Sequence, residues 1–193
     1  NPSHQVVKDF SDTDLMQSIS LLATYEKRMS FLKANKDAER APRIGCKRVD
    51  ILDITLNDYK KYSDKVIDGL LDASKFLHKH YIFSPKFLPY GAQLIPLSAV
   101  FTILGNDAHS LQAQEKIARW YWCGIFGELY GGTTETRFAF DVPEVVNWVR
   151  GDINLPRTVS EAQFMKDRLW TLGSRQSAAY KGLYALLLAD GAK

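Results

Sequence analysis

The sequence predicts an all-α fold, and three observations predict it. Apolar residues recur at helical spacing in several long stretches, helix-capping residue types stand at the heads of those stretches, and strand-like alternation is nearly absent. A chain of 193 residues with 46% hydrophobic content is long enough to bury one sizeable core and short for two. The expectation is a single helical domain over residues 1–193, an orthogonal or irregular bundle of about six or seven helices.

Ser11, Asp12 and Thr13 head the first helix, whose apolar positions Leu15, Ile19, Leu22, Met29 and Leu32 fix it from about Thr13 to Lys33. Residues 34–50 combine dense charge with Asn, Pro and Gly and show no period, which predicts a mobile basic loop. Thr55 and Asp58 have capping-box spacing, and Leu56, Tyr59, Val66, Leu70, Ala73 and Leu77 mark one face of a second long helix. Ser84 to Tyr90 reads as a turn with two prolines. The next helix runs to about Leu104, kinked at Pro96 or starting there because proline lacks an amide donor, and Gly105-Asn106 ends it.

The 18 residues from Phe87 to Leu104 carry no charge, which borders on a membrane span, but Pro89, Gly91, Gln93 and Pro96 favour a core helix. From about Gln112 to Tyr130 the pattern is helical and apolar nearly all round, as for a central buried helix closed by Gly131-Gly132. Thr133 or Thr134 caps the next helix, and Asp141-Val142-Pro143 suits a restart with proline in the first turn. Thr158 or Ser160, and then Ser174, are the expected caps of two last helices, the second ending near Asp190-Gly191.

The net charge is +3, but its distribution says more than its sum. Lys33, Lys36, Arg40, Arg43, Lys47 and Arg48 stand against only Asp37 and Glu39, leaving 19 basic and 20 acidic residues elsewhere. One stretch carries the whole excess, which favours a localised anion contact over a globally cationic surface. Lys36, Arg40, Arg43, Lys47 and Arg48 are therefore the candidate DNA-contacting residues, with a solvated linker as the competing reading. Cys46 and Cys123 give neither a disulfide framework nor a metal spacing, so a reducing, cytoplasmic setting is expected, and with the 87–104 run read as core no membrane partner is expected. There is no initiator Met and no signal-like start, so the chain is expected to be excised from a longer protein.

A helical wheel over residues 115–130 places Glu128 among Ile117, Tyr121 and Ile125, which predicts a buried carboxylate with Arg137 as the nearest cation and Tyr130 beside it. Glu128, Arg137 and Tyr130 read either as a structural polar cluster pinning two helices or as a site, with Glu128 and Arg137 a general acid/base or a ligand-gripping pair. His78 and His80, two apart on a helix, point away from each other and make a poor metal pair, while His4 and His109 are isolated, so no metal site is expected. Cys123 lies in an aromatic helix where a thiolate is disfavoured. Trp120, Tyr121, Trp122, Phe126 and Tyr130 could stack bases, but their spacing indicates core.

The runs CKRVDILDITLNDYKKYSDKVIDG, FLPYGAQLIPLSAVFTILG, ARWYWCGIFGELYGGTTETRF and SAAYKGLYALLLADGA resemble, over roughly residues 46–191, the helical middle or C-terminal region of the bacterial family typified by the GmrSD modification-dependent restriction endonucleases. That resemblance implies a parent with an N-terminal ParB-like nucleotidase bearing Asp-Gly-Gln-Gln-Arg and often a C-terminal His-Asn-His nuclease, hence NTP and a divalent metal as the parent's cofactors. Neither motif is in this chain: Asp68-Gly69-Leu70 and Asp190-Gly191-Ala192 share only two letters of the first. No catalytic residue and no cofactor can therefore be carried over. The expected function is a non-catalytic scaffold or coupling domain of such a restriction or anti-phage protein. Its partners would be other domains of the same polypeptide, DNA, and a second copy if it oligomerises. The alternatives are an autonomous small-molecule enzyme using Glu128 and Arg137, or a dimerisation module.

Overall fold

The computed structural model describes the backbone of residues 2–35, 37–172 and 174–191, and the side chains of all of these except 2, 3 and 169. Helices form where caps and apolar faces coincide. At the head of α1 (Asp12–Asn35), the Asp14 amide donates to Ser11 Oγ at 3.2 Å while the Ser11 amide donates to Asp14 Oδ2 at 2.8 Å. The short α2 (Arg48–Leu52) follows. Thr55 and Asp58 then make the reciprocal pair expected of them, at 3.1 and 3.0 Å, opening α3 (Leu56–Lys79).

Single 3₁₀ turns at Pro85–Phe87 and Gly91–Gln93 lead into α4 (Leu94–Leu104). Pro96 falls in the first turn of α4, where a missing amide leaves no bond unmade, so the helix starts before it. Almost every residue of α4 is buried, and the uncharged 87–104 run supplies the core of the fold. Among the described residues no helix is long and apolar enough to cross a membrane. The remaining helices are α5 (Leu111–Phe126), α6 (Glu135–Val149), α7 (Arg157–Glu161) and α8 (Ala178–Ala189). The fold is all-α, with no strand among the described residues. Among the described residues there are eight α-helices against the six or seven expected, and the five-residue α2 stands where a loop was expected.

α4 is the axis of the bundle. α3 runs against it most extensively, with α1 and α6 on its other sides; α5 packs on α6, and α7 and α8 pack on α5. The α3–α4 approach depends on Gly69, where a Cβ would collide with the Thr102 hydroxyl and stand 2.5 Å from the Ser98 carbonyl oxygen. Glu26 accepts from Lys61 and Tyr62, pinning α1 to α3.

Three expectations are corrected here. The central helix is α4, not the stretch from Gln112 to Tyr130: α5 buries one face through Ile117, Trp120, Tyr121 and Ile125 and ends at Phe126. Its end is a Schellman motif, in which the Leu129 amide donates to the Gly124 carbonyl (3.0 Å) and the Glu128 amide to the Ile125 carbonyl (3.1 Å), with Glu128 left-handed at φ 53°. Second, α6 does not restart at Pro143 but runs through it. An interior proline costs ~3 kcal/mol, whereas burying Phe138, Val142, Val145 and Val146 on the same helix contributes roughly 1.5–3 kcal/mol each, so packing prevails. Third, Thr158 and Ser160 lie inside α7, whose N-cap is Pro156, and α8 is capped by Ser177 rather than Ser174.

The span expected as a loop over 34–50 is shorter at both ends, since α1 reaches Asn35 and α2 begins at Arg48. The described residues between them, 37–47, are fastened to α1. Arg28 donates to the Ala41 and Pro42 carbonyls at 3.1 Å, and the Ser20 hydroxyl donates to the Gly45 carbonyl at 2.9 Å.

Candidate functional site

The polar residues that the sequence singled out do not meet as expected. Because α5 stops before Glu128 and the next turn is left-handed, that carboxylate leaves the helical phase and faces solvent. Its partner is Arg168, at 2.9 Å, and not Arg137. A reading of Glu128 as a buried group is thus overturned by the termination of α5.

Tyr130 and Arg137 join a different carboxylate, Asp141, which has no solvent exposure. The Tyr130 hydroxyl, in the turn after α5, donates to Asp141 Oδ2, and the Thr158 hydroxyl of α7 donates to Asp141 Oδ1 at 2.7 Å. Arg137, one turn before Asp141 on α6, donates to Thr158 Oγ1 at 2.9 Å and to Glu161 Oε2 at 3.1 Å. The Trp120 indole N–H approaches the carboxyl closely enough to favour its anion without the geometry of a hydrogen bond. Burial pushes Asp141 up to about 6, against the opposing pull of the Tyr130, Thr158 and Trp120 donors and the Arg137 charge. Burial, and then the neighbouring carboxylate, hold the Tyr130 hydroxyl well above its ordinary range. Every oxygen of the Asp141 carboxylate has a donor, and among the described residues the five main surface cavities are lined by neither Asp141, Tyr130, Thr158 nor Arg137. The cluster can hold three elements together; it offers no reacting atom to a ligand.

Asp141 was legible only in part. It sits four residues after Arg137 within the apolar stripe of Phe138, Val142 and Val145, a pattern that puts a carboxylate on a buried face one turn from a cation, but the proline two residues on marks a helix boundary in the sequence.

Of the basic residues, Lys36 lies outside the described residues. Arg40 pairs with Asp37 at 3.5 Å and Arg43 with Asp50 at 2.8 Å, while Lys47 and Arg48 are exposed at the start of α2. Half of the described loop cations are thus offset by a local carboxylate. His78 and His80 diverge: His78 is exposed beside Phe83, whereas His80 is packed against Phe76 and Trp122, where burial lowers its pKa. His109 stands 3.6 Å from Asp72. Among the described residues no three His, Cys, Asp or Glu come together to hold a metal. Burial lifts the Cys46 thiol to about 12 and raises that of Cys123, which is half-buried, so neither is an activated nucleophile. Trp120, Tyr121 and Tyr130 are core, as expected, while Trp122 and Phe126 are half-buried and stacked on each other.

A second polar surface was not anticipated at all. A cleft of about 360 Å³ lies between the Pro85–Phe87 turn and the start of α8, lined by Lys86, Phe87, Arg175, Tyr180, Lys181 and Tyr184, together with Gln176. Its two sides are some ninety residues apart in the chain, and no local pattern joins them.

Compared with known proteins, the chain matches no family model and no solved structure. Over 109 residues it is 29% identical to an uncharacterized protein of the archaeon Methanocaldococcus jannaschii. The match takes in 54% of this chain and 18% of that protein, so the chain spans only a minor part of its relative's length.

Proposed function

We propose that the chain is a non-catalytic helical module of a longer, GmrSD-like restriction or anti-phage protein, a rigid body that holds other parts of the polypeptide in register. DNA contact is assigned to Arg40, Arg43, Lys47 and Arg48, with Lys36 in the same stretch. The observation that carries this reading is the closure of the Asp141 cluster: both carboxylate oxygens accept from Tyr130 and Thr158, and Arg137 is bonded to Thr158, so these groups are spent on joining α6 to α7 and to the turn after α5. The relative's greater length agrees with a module inside a larger protein. NTP and a divalent metal, as cofactors of the parent, would belong to other domains, since the described residues offer no ligand set for a metal.

The enzyme alternative centred on Glu128, Tyr130 and Arg137 loses its geometry, because Glu128 is paired with Arg168 and the other two serve Asp141. The dimerisation alternative has one feature in its favour, the exposed Val49, Leu52, Leu56 and Tyr59 around α2 and the head of α3. Sedimentation across a concentration series tests it, and a monomer at every concentration removes it.

The DNA assignment is tested by combining Arg43→Glu, Lys47→Glu and Arg48→Glu and measuring duplex affinity as a function of salt. Each neutralised phosphate contributes a slope of about 0.9 in log affinity against log salt. Loss of up to three contacts therefore flattens the slope by about 2 to 3 and weakens low-salt binding by at least about tenfold. Undiminished low-salt affinity removes this segment from the interface.

A further inference from the structure

Three cations of the cleft between the Pro85–Phe87 turn and α8 have no carboxylate partner among the described ion pairs: Lys86, Arg175 and Lys181. No Asp or Glu lines the cleft. Such a set is costly to gather without an anion to receive, because like charges repel and three long side chains are drawn to one place. The positions are also fixed from below. Lys181 donates to the Leu88 carbonyl at 3.3 Å and so ties α8 to the 85–88 turn, and the Lys86 ammonium lies 5.9 Å from the Phe87 ring centre.

Beside the cations stands a flat apolar surface. Phe87 and Tyr184 are stacked at 5.6 Å with only 20° between their planes, both about two-fifths exposed, and Tyr180 lies one turn earlier on the same helix. Rings 5.6 Å apart leave no room for a third between them, so a planar ligand would lie on an outer face of the pair. A volume of about 360 Å³ is at the small end of ligand sites and suits one planar group with its phosphate rather than a dinucleotide.

We propose that this cleft binds a single phosphorylated nucleoside unit, its base stacked on the Phe87–Tyr184 pair and its phosphate held by Lys86, Arg175 and Lys181. The unit is a free mononucleotide or one residue of a single strand; the chemistry is shared, and stacking with cationic backbone capture is how unpaired nucleotides are held without sequence preference. The site is distinct in sequence from the 36–48 stretch.

The test is fluorescence anisotropy with two probes, etheno-AMP and a fluorescein-labelled oligo(dT) of eight residues, on the intact chain, with inorganic phosphate as competitor. The expected result is saturable binding that weakens about tenfold or more in Lys86→Glu or Arg175→Glu and weakens in Tyr184→Ala. All three positions are exposed or partly so, and an unchanged thermal melt confirms that each variant is folded. The variant carrying Arg43→Glu, Lys47→Glu and Arg48→Glu keeps this binding, so failure of the duplex-contact reading and failure of this one are told apart. An oligonucleotide at least tenfold tighter than etheno-AMP supports the site and identifies a strand as its source; equal affinities support it and identify a free nucleotide. The proposal is overturned if neither probe binds at millimolar concentration, if inorganic phosphate competes as well as AMP does, or if the Lys86 and Arg175 variants bind unchanged.

Discussion

Asp141 and Glu128 show how one carboxylate becomes structural while another, thirteen residues away, becomes surface. Asp141 is unexposed and lifted to about 6 from 3.8, so over the interval between those values the folded chain holds a proton that the unfolded chain has released. Its stabilising contribution is therefore complete below the unfolded value and lost as pH rises through about 6, a shift worth on the order of 3 kcal/mol in all. Between pH 7.5 and 5 about half of it, roughly 1.4 kcal/mol, should return. His80, with its lowered pKa, acts in the opposite direction over that window, so the informative quantity is the difference between the wild type and Asp141→Asn. Urea unfolding of both is expected to favour the wild type over the variant by about 1.4 kcal/mol more at pH 5 than at pH 7.5; equal changes in both would mean that Asp141 titrates normally. Glu128 behaves otherwise. A left-handed non-glycine residue costs ~1–2 kcal/mol, and an exposed ion pair such as Glu128–Arg168 contributes only ~0.2–1 kcal/mol. Glu128→Gly should accordingly leave stability unchanged or raise it by up to about 1 kcal/mol, whereas a buried Glu128 would make the same change cost ~3–5 kcal/mol. A thermal melt decides between them.

Elements were legible where a start signal stood beside a clean period, and least legible at their ends. The cap types Ser11, Asp12 and Thr13 and the Thr55–Asp58 pair place α1 and α3 to within a residue or two of expectation, because such signals are written in a few neighbouring letters. Helix ends at α3 and α5 use the Schellman motif with a non-glycine residue in the left-handed position, Tyr81 at φ 63° and Glu128 at φ 53°. What allows Tyr81 to serve is tertiary: Leu77 and the following Ile82, whose amide donates back to Leu77, are both fully buried. No such contact can be read from local sequence, and the error at Glu128 follows directly from extending α5 by four residues. The Lys86 cleft was invisible for the same reason, its two sides being brought together only by the packing of α8. Pro143 is the converse case, a breaker overruled by the buried face around it. If α6 truly pulls Pro143 into a helix it does not favour, Pro143→Ala restores the missing donor and should raise stability by about 1–3 kcal/mol. A lower melting temperature in that variant would mean the proline is placed at a real boundary.

A module proposed to transmit state between its neighbours must respond as one body, since coupling requires that a change at one side alter the free energy of the other. α4 is the shared element of the bundle. α3, α1 and α6 all pack on it, and α6 is locked through Asp141 to α7 and the turn after α5. All four tryptophans, Trp120, Trp122, Trp148 and Trp170, lie after α4, whereas the close α3–α4 approach at Gly69 joins α3 to α4 itself. Gly69→Ala gains roughly 1 kcal/mol of helix propensity but drives a methyl into the Thr102 side chain and the Ser98 carbonyl; a clash with backbone cannot be relieved by a rotamer change, so a net loss of about 2 kcal/mol is expected. In a single cooperative body that loss must appear equally in tryptophan emission, which reports the part after α4, and in far-ultraviolet circular dichroism, which reports every helix. Both midpoints should fall together in denaturant. If the dichroism midpoint moves while the emission midpoint stays, the two parts unfold separately, α4 does not bind them into one unit, and a mechanical role linking one end of the chain to the other loses its basis.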